Sequence, residues 1–541
     1  MRSFTSFSMT YTLKIKFRVN IHIITKKSFF NITMTTTKKL QKRLNDSAAA
    51  RWTALIIVSL TMMMAYFFTD VMGPLEAPLT TKGKLVYFEN GTYMPAASLM
   101  EVCPSIANED EITVGNTYLT ETTGEDGNTK SEALTVSSTI KGLGWSSGDY
   151  GIFSGAYGYI NVFLLMLFFG GLILDKMGVR FTGVMSTALM FIGAAIKWYA
   201  VDNSFSGEIF GLPTQVVIAC LGFAIYGMGC EIAGITVTKV IAKWFTGHEM
   251  ALAMGLQVAL ARVGTACALF FALPIAQSAG AVSAPVMFGA SALCIGLISY
   301  IVYCVMDKKL DSSIAADQDA ATESEEQFKF SDLKVIFCNQ GFWLITLLCL
   351  IFYAAVFPFL KFATNLMIIK YGVTPDLAGM IPGLLPFGTM LLTPLFGSLY
   401  DKIGKGATLM IIGSVLLTIV HILFAMPLLN VWWFAVIIMI LLGIAFSLVP
   451  SAMWPSVPKI IPMKQLGSAY AIIFYIQNIG LSMVPVLIGN VIAANTENGT
   501  TDYTMPMSIF ALFGAIAVII STLLKIVDKK KGYGLEKSNI K

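Results

Sequence analysis

Histidine is almost missing from this chain, charge is scarce, and the cysteines never come in pairs. Three histidines, His22, His248 and His421, in 541 residues leave little raw material for metal chemistry. The eight cysteines stand singly, without a CxxC pair or metal-ligand spacing, and only Cys103 falls in a large polar loop, which argues against a disulfide framework or a zinc site. Charged residues make up 13% of the chain, against roughly 25% in ordinary soluble domains. A soluble chain of this length would split into domains with polar surfaces between them, and no such surface can be built here. No grouping of nucleophile, base and orienting residue stands out, so an enzyme is the least expected reading and no cofactor is expected. The formal charge of +5 is small, and no nucleic-acid partner is expected.

Hydrophobicity is what the chain has instead. Hydrophobic residues account for 56% of it, in apolar stretches of about 20 residues that recur from Trp52 to the C-terminus, each long enough to cross a hydrocarbon core of ~30 Å. Such stretches must satisfy their backbone groups internally, which makes them helices. Glycines sit inside them, as in Gly170-Gly171 and Gly227-Met-Gly229, where small residues allow close helix approach in a bilayer. Spans are expected near 52–73, 150–174, 181–201, 214–238, 250–276 and 284–306, then 341–371, 376–400, 406–428, 431–455, 465–493 and 505–527. The organisation predicted is an N-terminal segment 1–50, a six-helix bundle 51–306 with a long loop 74–149, a polar linker 307–340, a second six-helix bundle 341–531 and a tail 532–541.

Basic residues orient the spans. Lys38, Lys39, Lys42, Arg43 and Arg51 precede the first. Lys176 and Arg180 follow the second, Lys239 and Lys243 the fourth, Lys308 and Lys309 the sixth, Lys402 and Lys405 the eighth, Lys459 and Lys464 the tenth. Lys525 to Lys531 close the twelfth, while the loop 74–149 holds eleven acids and four lysines. Both termini and the linker are therefore expected on the cytoplasmic side, with loop 74–149 outside. That loop is polar and poor in aromatics, which predicts either partial disorder or a small cap. Residues 1–33 lack an apolar core and a cleavage site and are expected to be disordered or an over-extended start before Met34. The sequons at Asn90 and Asn498 would be modified only on a eukaryotic secretory route, and composition leans towards a bacterial plasma membrane.

Two segments repeat at corresponding places. After the second span comes Gly171-Leu-Ile-Leu-Asp175-Lys176-Met-Gly178-Val-Arg180, and after the eighth Gly397-Ser-Leu-Tyr-Asp401-Lys402-Ile-Gly404-Lys405. Gly171 and Gly397 are expected to let a neighbouring helix close in. The aspartates are placed to accept from a helix N-terminus or a base across the interface, locking one state of a rocking pair. In form and twofold placement this loop resembles the signature of the major facilitator superfamily. The resemblance covers about Arg51 to Lys531 and implies an all-α membrane protein of twelve transmembrane helices in two pseudo-symmetric six-helix bundles, working by alternating access.

Ionisable residues inside the spans are few: Asp70, Lys197, Glu231, Arg262, Lys361 and His421. Glu231 precedes Lys239 by eight residues and Arg262 follows Met250 by twelve, which puts them roughly 12 and 18 Å from the cytoplasmic ends of spans 4 and 5. They read either as a structural ion pair or as a split site in which a zwitterion's ammonium meets Glu231 and its carboxylate the Arg262 fork. Asp70, Lys197 and Lys361 lie near outer helix ends, where snorkelling is cheap; His421 reads as a packed polar residue.

The run Gly227-Met-Gly-Cys-Glu231-Ile-Ala-Gly…Lys243-Trp244-Phe245…Gly255-Leu-Gln257…Ala261-Arg262-Val-Gly264 is similar to spans 4 and 5 of the animal lysosomal dipeptide uniporters. So are Ala65-Tyr66-Phe67…Asp70, Val356-Phe-Pro358-Phe359, Leu442-Gly443-Ile-Ala445-Phe-Ser447, Ala452-Met-Trp454-Pro455 and Ile476-Gln477-Asn478-Ile-Gly480. The resemblance implies that Glu231 holds the peptide's N-terminus and Arg262 its C-terminus, with Trp454 and Tyr475 as pocket walls and Gln477 and Asn478 as polar contacts. Read as residues alone, Trp454-Pro455 is equally a packed helix kink, and Tyr475 a lipid-facing ring. Loop 74–149 departs from that family, so its accessory glycoprotein is not carried over. The expected function is transport of dipeptides or similar small zwitterions, by a unit that is monomeric in the lipid bilayer. Glu231 and Arg262 would pair when the site is empty, which suits uniport over proton symport. The rivals are an organic-anion or nitrate/nitrite carrier using Arg262 alone, and a non-transporting sensor. The ExxER run of proton-coupled peptide transporters is absent from span 1.

Overall fold

The computed structural model describes residues 44–123, 129–245, 250–315, 330–427, 429–462, 465–497 and 500–538. The expectation for residues 1–33, the middle of the linker and the second sequon lie outside the described residues. Among the described residues, a small unit comprises 44–51 with 305–315, and the main body comprises the described residues of 52–304 and 330–538. In the small unit Arg51 Nη1 donates to the Asn45 carbonyl at 2.7 Å and the Leu44 amide to Ser313 Oγ at 3.3 Å.

Among the described residues, eleven helices are long and apolar enough to cross a membrane. In the N-terminal half these are span 1 (Ala48–Thr80), span 3 (Lys176–Asp202), span 4 (Thr214–Phe245), span 5 (Met250–Ala279) and span 6 (Ser283–Ala315). The C-terminal half contributes span 7 (Gln340–Tyr371), span 8 (Pro375–Ile403), span 9 (Gly406–Ala425), span 10 (Trp432–Ile460), span 11 (Leu466–Ala494) and span 12 (Thr504–Lys531). Hydroxyls within them bond back to the carbonyl four residues earlier, as Thr236 to Ile232 at 2.8 Å and Ser447 to Gly443 at 2.8 Å, so they need no water in the bilayer.

Span 2, expected as one helix over 150–174, is interrupted. It runs as Ser147–Gly155, a tight 3-10 turn Ala156–Gly158, and Tyr159–Phe163, and resumes at Met166 after Leu165 in the left-handed region at φ 52°. A capping box between Ser146 and Asp149 starts it.

Loop 74–149 holds a folded cap. Strands β1 (Lys84–Phe88), β2 (Tyr93–Pro95), β3 (Thr117–Thr123) and β4 (Thr129–Lys141) form an antiparallel sheet in the order β2-β1-β4-β3. Its core is Val86, Phe88, Leu99, Cys103, Leu134 and Val136 with their neighbours, each at most 5% exposed. The fold is thus the expected helical bundle plus a small sheet on the face called here the cap side.

The motif glycines differ from expectation. A Cβ added at Gly171 or Gly397 would meet nothing within 4 Å, so neither admits a neighbouring helix. The glycines that matter are the terminal ones. Gly178 (φ 77°, ψ 172°) and Gly404 (φ 71°, ψ −134°) both occupy backbone that L-residues avoid, and so end or break the helix in both repeats. Gly404 also admits the C-terminal tail, since a Cβ there would lie 2.5 Å from the Lys537 carbonyl carbon. The tail is docked rather than loose. Leu535 is fully buried, and Glu536 accepts from the Thr408 amide at 2.9 Å and hydroxyl at 2.8 Å, capping span 9 from outside its own helix. Gly404→Val is expected to cost about 1–3 kcal/mol, read as a lower melting temperature in detergent. Gly171→Ala and Gly397→Ala, in open helix positions, should be neutral or slightly stabilising.

Candidate functional site

Glu231 on span 4 accepts a 2.9 Å hydrogen bond on Oε1 from the Tyr157 hydroxyl, which comes from the 3-10 turn of span 2. Arg262 on span 5 sets its guanidinium among three rings: Phe357 at 5.4 Å, Phe446 at 5.8 Å and Tyr66 at 5.9 Å from their centroids. Those rings belong to spans 7, 10 and 1, so Arg262 sits where the two halves meet. Faces of aromatic rings favour a cation without neutralising it. No ion pair joins Glu231 to Arg262, contrary to the expectation for the empty site. Each has a neutral partner instead, and both are only partly buried.

Trp454 joins the same aromatic group. Its Nε1 donates to Tyr353 Oη at 3.1 Å and its ring stacks on Phe474 at 5.0 Å. Tyr353 packs on Phe357 at 5.5 Å and Phe446 at 5.6 Å, two of the rings around Arg262. Tyr475 turns to span 2, donating to the Val162 carbonyl at 3.2 Å, rather than facing lipid. That carbonyl lies in the short helical piece Tyr159–Phe163, just before the left-handed break at Leu165. Gln477 is buried and accepts from Cys349 Sγ at 3.3 Å, a bond between spans 11 and 7. Asn478 donates to the Phe474 carbonyl at 3.0 Å on its own helix, while its Oδ1 is buried without a partner. The structure therefore groups Arg262 with Trp454, and places Glu231 with Tyr157. It shows no contact from Gln477 or Asn478 to either charge.

Three charges near the cap side depart from the snorkelling expected of them. Lys361 Nζ meets Asp70 Oδ1 at 2.6 Å, with both side chains 16% exposed, and also donates to the Thr69 carbonyl at 3.0 Å. The Tyr150 hydroxyl donates to the Lys361 carbonyl at 2.8 Å. These bonds fasten span 1 and the start of span 2 to span 7, one half to the other. Lys197 has no exposed surface at all. Its ammonium lies 4.3 Å from the ring centres of Phe68 and Phe223 and donates to the Phe68 carbonyl at 3.4 Å. His421 is packed, as expected, between Phe359 and Phe510 at 5.2 and 5.3 Å.

In the loop motif, Lys176 and Lys402 are exposed, and Arg180 and Asp401 are partly buried. The Asp175 side chain lies outside the described residues. A cavity of about 480 Å³ opens between spans 1, 5 and 6, bounded by Met63, Phe67, Phe271 and Phe288. Its walls are almost wholly apolar and include neither Glu231 nor Arg262, so it is not where a charged solute would be held. The sequence does not single out Tyr157, Tyr353, Phe357 or Phe446, although Phe357 and Phe446 lie within runs that carry the family resemblance.

The chain matches the Major Facilitator Superfamily over residues 112–485 and 362–538. It belongs to that superfamily. The chain is similar to the lysosomal dipeptide transporter MFSD1 of Bos taurus, with 26% identity over 392 residues, 71% of this chain and 78% of the relative. The Danio rerio MFSD1 is 27% identical over 71% of this chain and 79% of its own length. Among solved structures, the nucleoside transporter NupG aligns with a TM-score of 0.58 at 13% identity, covering 88% of this chain and 98% of its own. The D-xylose–proton symporter aligns at 0.54 and 14%, covering 87% and 97%. These two share the fold. This major facilitator protein is thus a multi-pass membrane transporter.

Proposed function

We propose that the protein carries dipeptides, or small zwitterions of the same shape, across a membrane by alternating access and without an obligatory proton. The observation that carries this reading is the state of the two central charges. Glu231 and Arg262, on adjacent spans, are held by a phenol and by aromatic faces and not by each other. Each is left available to a ligand: the carboxyl of Glu231 to an ammonium, the guanidinium fork of Arg262 to a carboxylate. The relatives named as dipeptide transporters support the same substrate class. In this reading the cap side is the non-cytoplasmic side, both termini are cytoplasmic by the basic loops, and Asp70 with Lys361 closes the cap-side gate. The animal relatives are lysosomal and lend no support to a bacterial plasma membrane; we place the protein in an organelle membrane of that kind.

The test is uptake of labelled dipeptides into proteoliposomes of the purified chain. Saturable uptake that survives collapse of a pH gradient is expected. No uptake of any dipeptide would overturn the substrate, and uptake that vanishes with the gradient would overturn uniport.

A further inference from the structure

We infer that Tyr157 is a positioning residue of the substrate site, and that the interruption of span 2 is what delivers it to Glu231. The inference rests on the reading of Glu231 as the ammonium site.

Tyr157 stands in the middle of the 3-10 turn Ala156–Gly158, where span 2 leaves α-helical geometry. Discontinuous helices in transporters commonly present polar groups at the substrate level. Here the turn lies flat against span 4. A Cβ at Gly227 would fall 2.0 Å from the Tyr157 carbonyl oxygen, so the approach exists only because residue 227 has no side chain. Gly227 is four residues before Glu231, one turn along the same face. The phenol therefore runs beside span 4 from Gly227 towards the carboxylate. Its ring is fixed there by Phe223 at 5.6 Å and Tyr226 at 6.2 Å, and its hydroxyl donates to Glu231 Oε1 at 2.9 Å.

Among the described residues no other side chain donates to Glu231, and the residue is only partly buried. One carboxylate oxygen is thus held while the other is left for a ligand. A neutral donor suits this task better than a lysine or arginine. It fixes the rotamer of the carboxylate without cancelling the charge that an incoming ammonium needs, so ordering that side chain is not charged against binding. The expected signature is selectivity: Tyr157 matters to ligands that carry a free amine and not to ligands that lack one.

The experiment measures binding of a dipeptide and of its N-acetylated form to the purified full chain, in wild type, Tyr157→Phe, Glu231→Gln and the double variant, with melting temperature as the folding control. Tyr157→Phe is expected to weaken dipeptide binding roughly tenfold, as for loss of a hydrogen bond to a charged group, and to leave the N-acetylated form unchanged. In the Glu231→Gln background the same substitution should add nothing. If Glu231→Gln itself leaves dipeptide binding intact, the reading of the site fails. If Glu231→Gln weakens binding but Tyr157→Phe does not, the site stands and the role of Tyr157 falls. Equal loss for both ligands, or a loss that persists in the Glu231→Gln background, would mark Tyr157 as a packing residue and overturn the proposal.

Discussion

Glu231→Gln and Arg262→Ala should each weaken dipeptide binding at least about thirtyfold, and each should spare a different blocked ligand. The magnitude follows from removing the protein's half of a charge pair made with the bound ligand, a loss of roughly 2–5 kcal/mol, where ~1.4 kcal/mol is tenfold. With Glu231 neutral, an N-acylated amino acid should still bind through its carboxylate at Arg262. With Arg262 gone, an amino-acid amide should still bind through its ammonium. The crossed pattern separates a zwitterion clamp from an anion carrier that relies on Arg262 alone, for which Glu231→Gln would leave binding unaltered or improve it. Arg262→Lys should not rescue, because a point charge loses the fork geometry and the flat contact with Phe357 and Phe446. Wild-type-like dipeptide binding by both single variants would remove the clamp from consideration.

The second large effect is expected at the gate. Replacing either Asp70 or Lys361 leaves the other charge in a place where each side chain is only 16% exposed. Breaking a buried pair by removing one partner costs roughly 3–5 kcal/mol; water at this rim places the expected value at the lower end. The cost falls on the state in which the pair is made, so Asp70→Asn or Lys361→Met should shift the protein towards opening on the cap side. Labelling of a cysteine placed beside the gate, by a reagent that cannot cross the membrane, should speed up several-fold. The exchanged pair Asp70→Lys with Lys361→Asp should slow it again. Unchanged labelling in both single variants would reduce the pair to a solvated contact. Thr69 connects the gate to span 4, since its hydroxyl bonds to that of Tyr226 at 2.9 Å.

The spans were readable in the residues because a bilayer leaves a chain so few options: an apolar run of sufficient length must be a helix, and only its ends are negotiable. Span 2 escaped because its interruption, around Ala156-Tyr157-Gly158 and Leu165, is written in apolar residues and changes no hydropathy. The cap is legible only as one of two alternatives, and its sheet stays hidden for a related reason. In β1 four of five residues are buried, so the alternation that betrays a half-buried strand is missing, and the threonine-rich β3 and β4 pass for polar loop. Glu231 and Arg262 were visible because charge at mid-membrane depth is expensive. Their neutral surroundings were not, since nothing in the sequence marks Tyr157 or Tyr353 apart from any other aromatic residue in a span. Asp70 and Lys361 stand 291 residues apart, and pairing over that separation comes only from the packing of the two halves. The motif is legible in the sequence, but not which of its glycines the backbone needs: Gly178 and Gly404 hold positive-φ, helix-terminating backbone, while the space beside Gly171 and Gly397 is open.

The docked tail makes the last stretch of the chain a structural part of span 9. Its first turn takes its capping carboxylate from Glu536, and the amides of Lys405 and Gly406 are bonded to the carbonyls of Glu536 and Leu535 at 3.0 and 2.9 Å. A fusion partner or a truncation placed before residue 537 would therefore act as a lesion in the loop between spans 8 and 9, more than a hundred residues upstream. Reporter tags for this protein belong elsewhere.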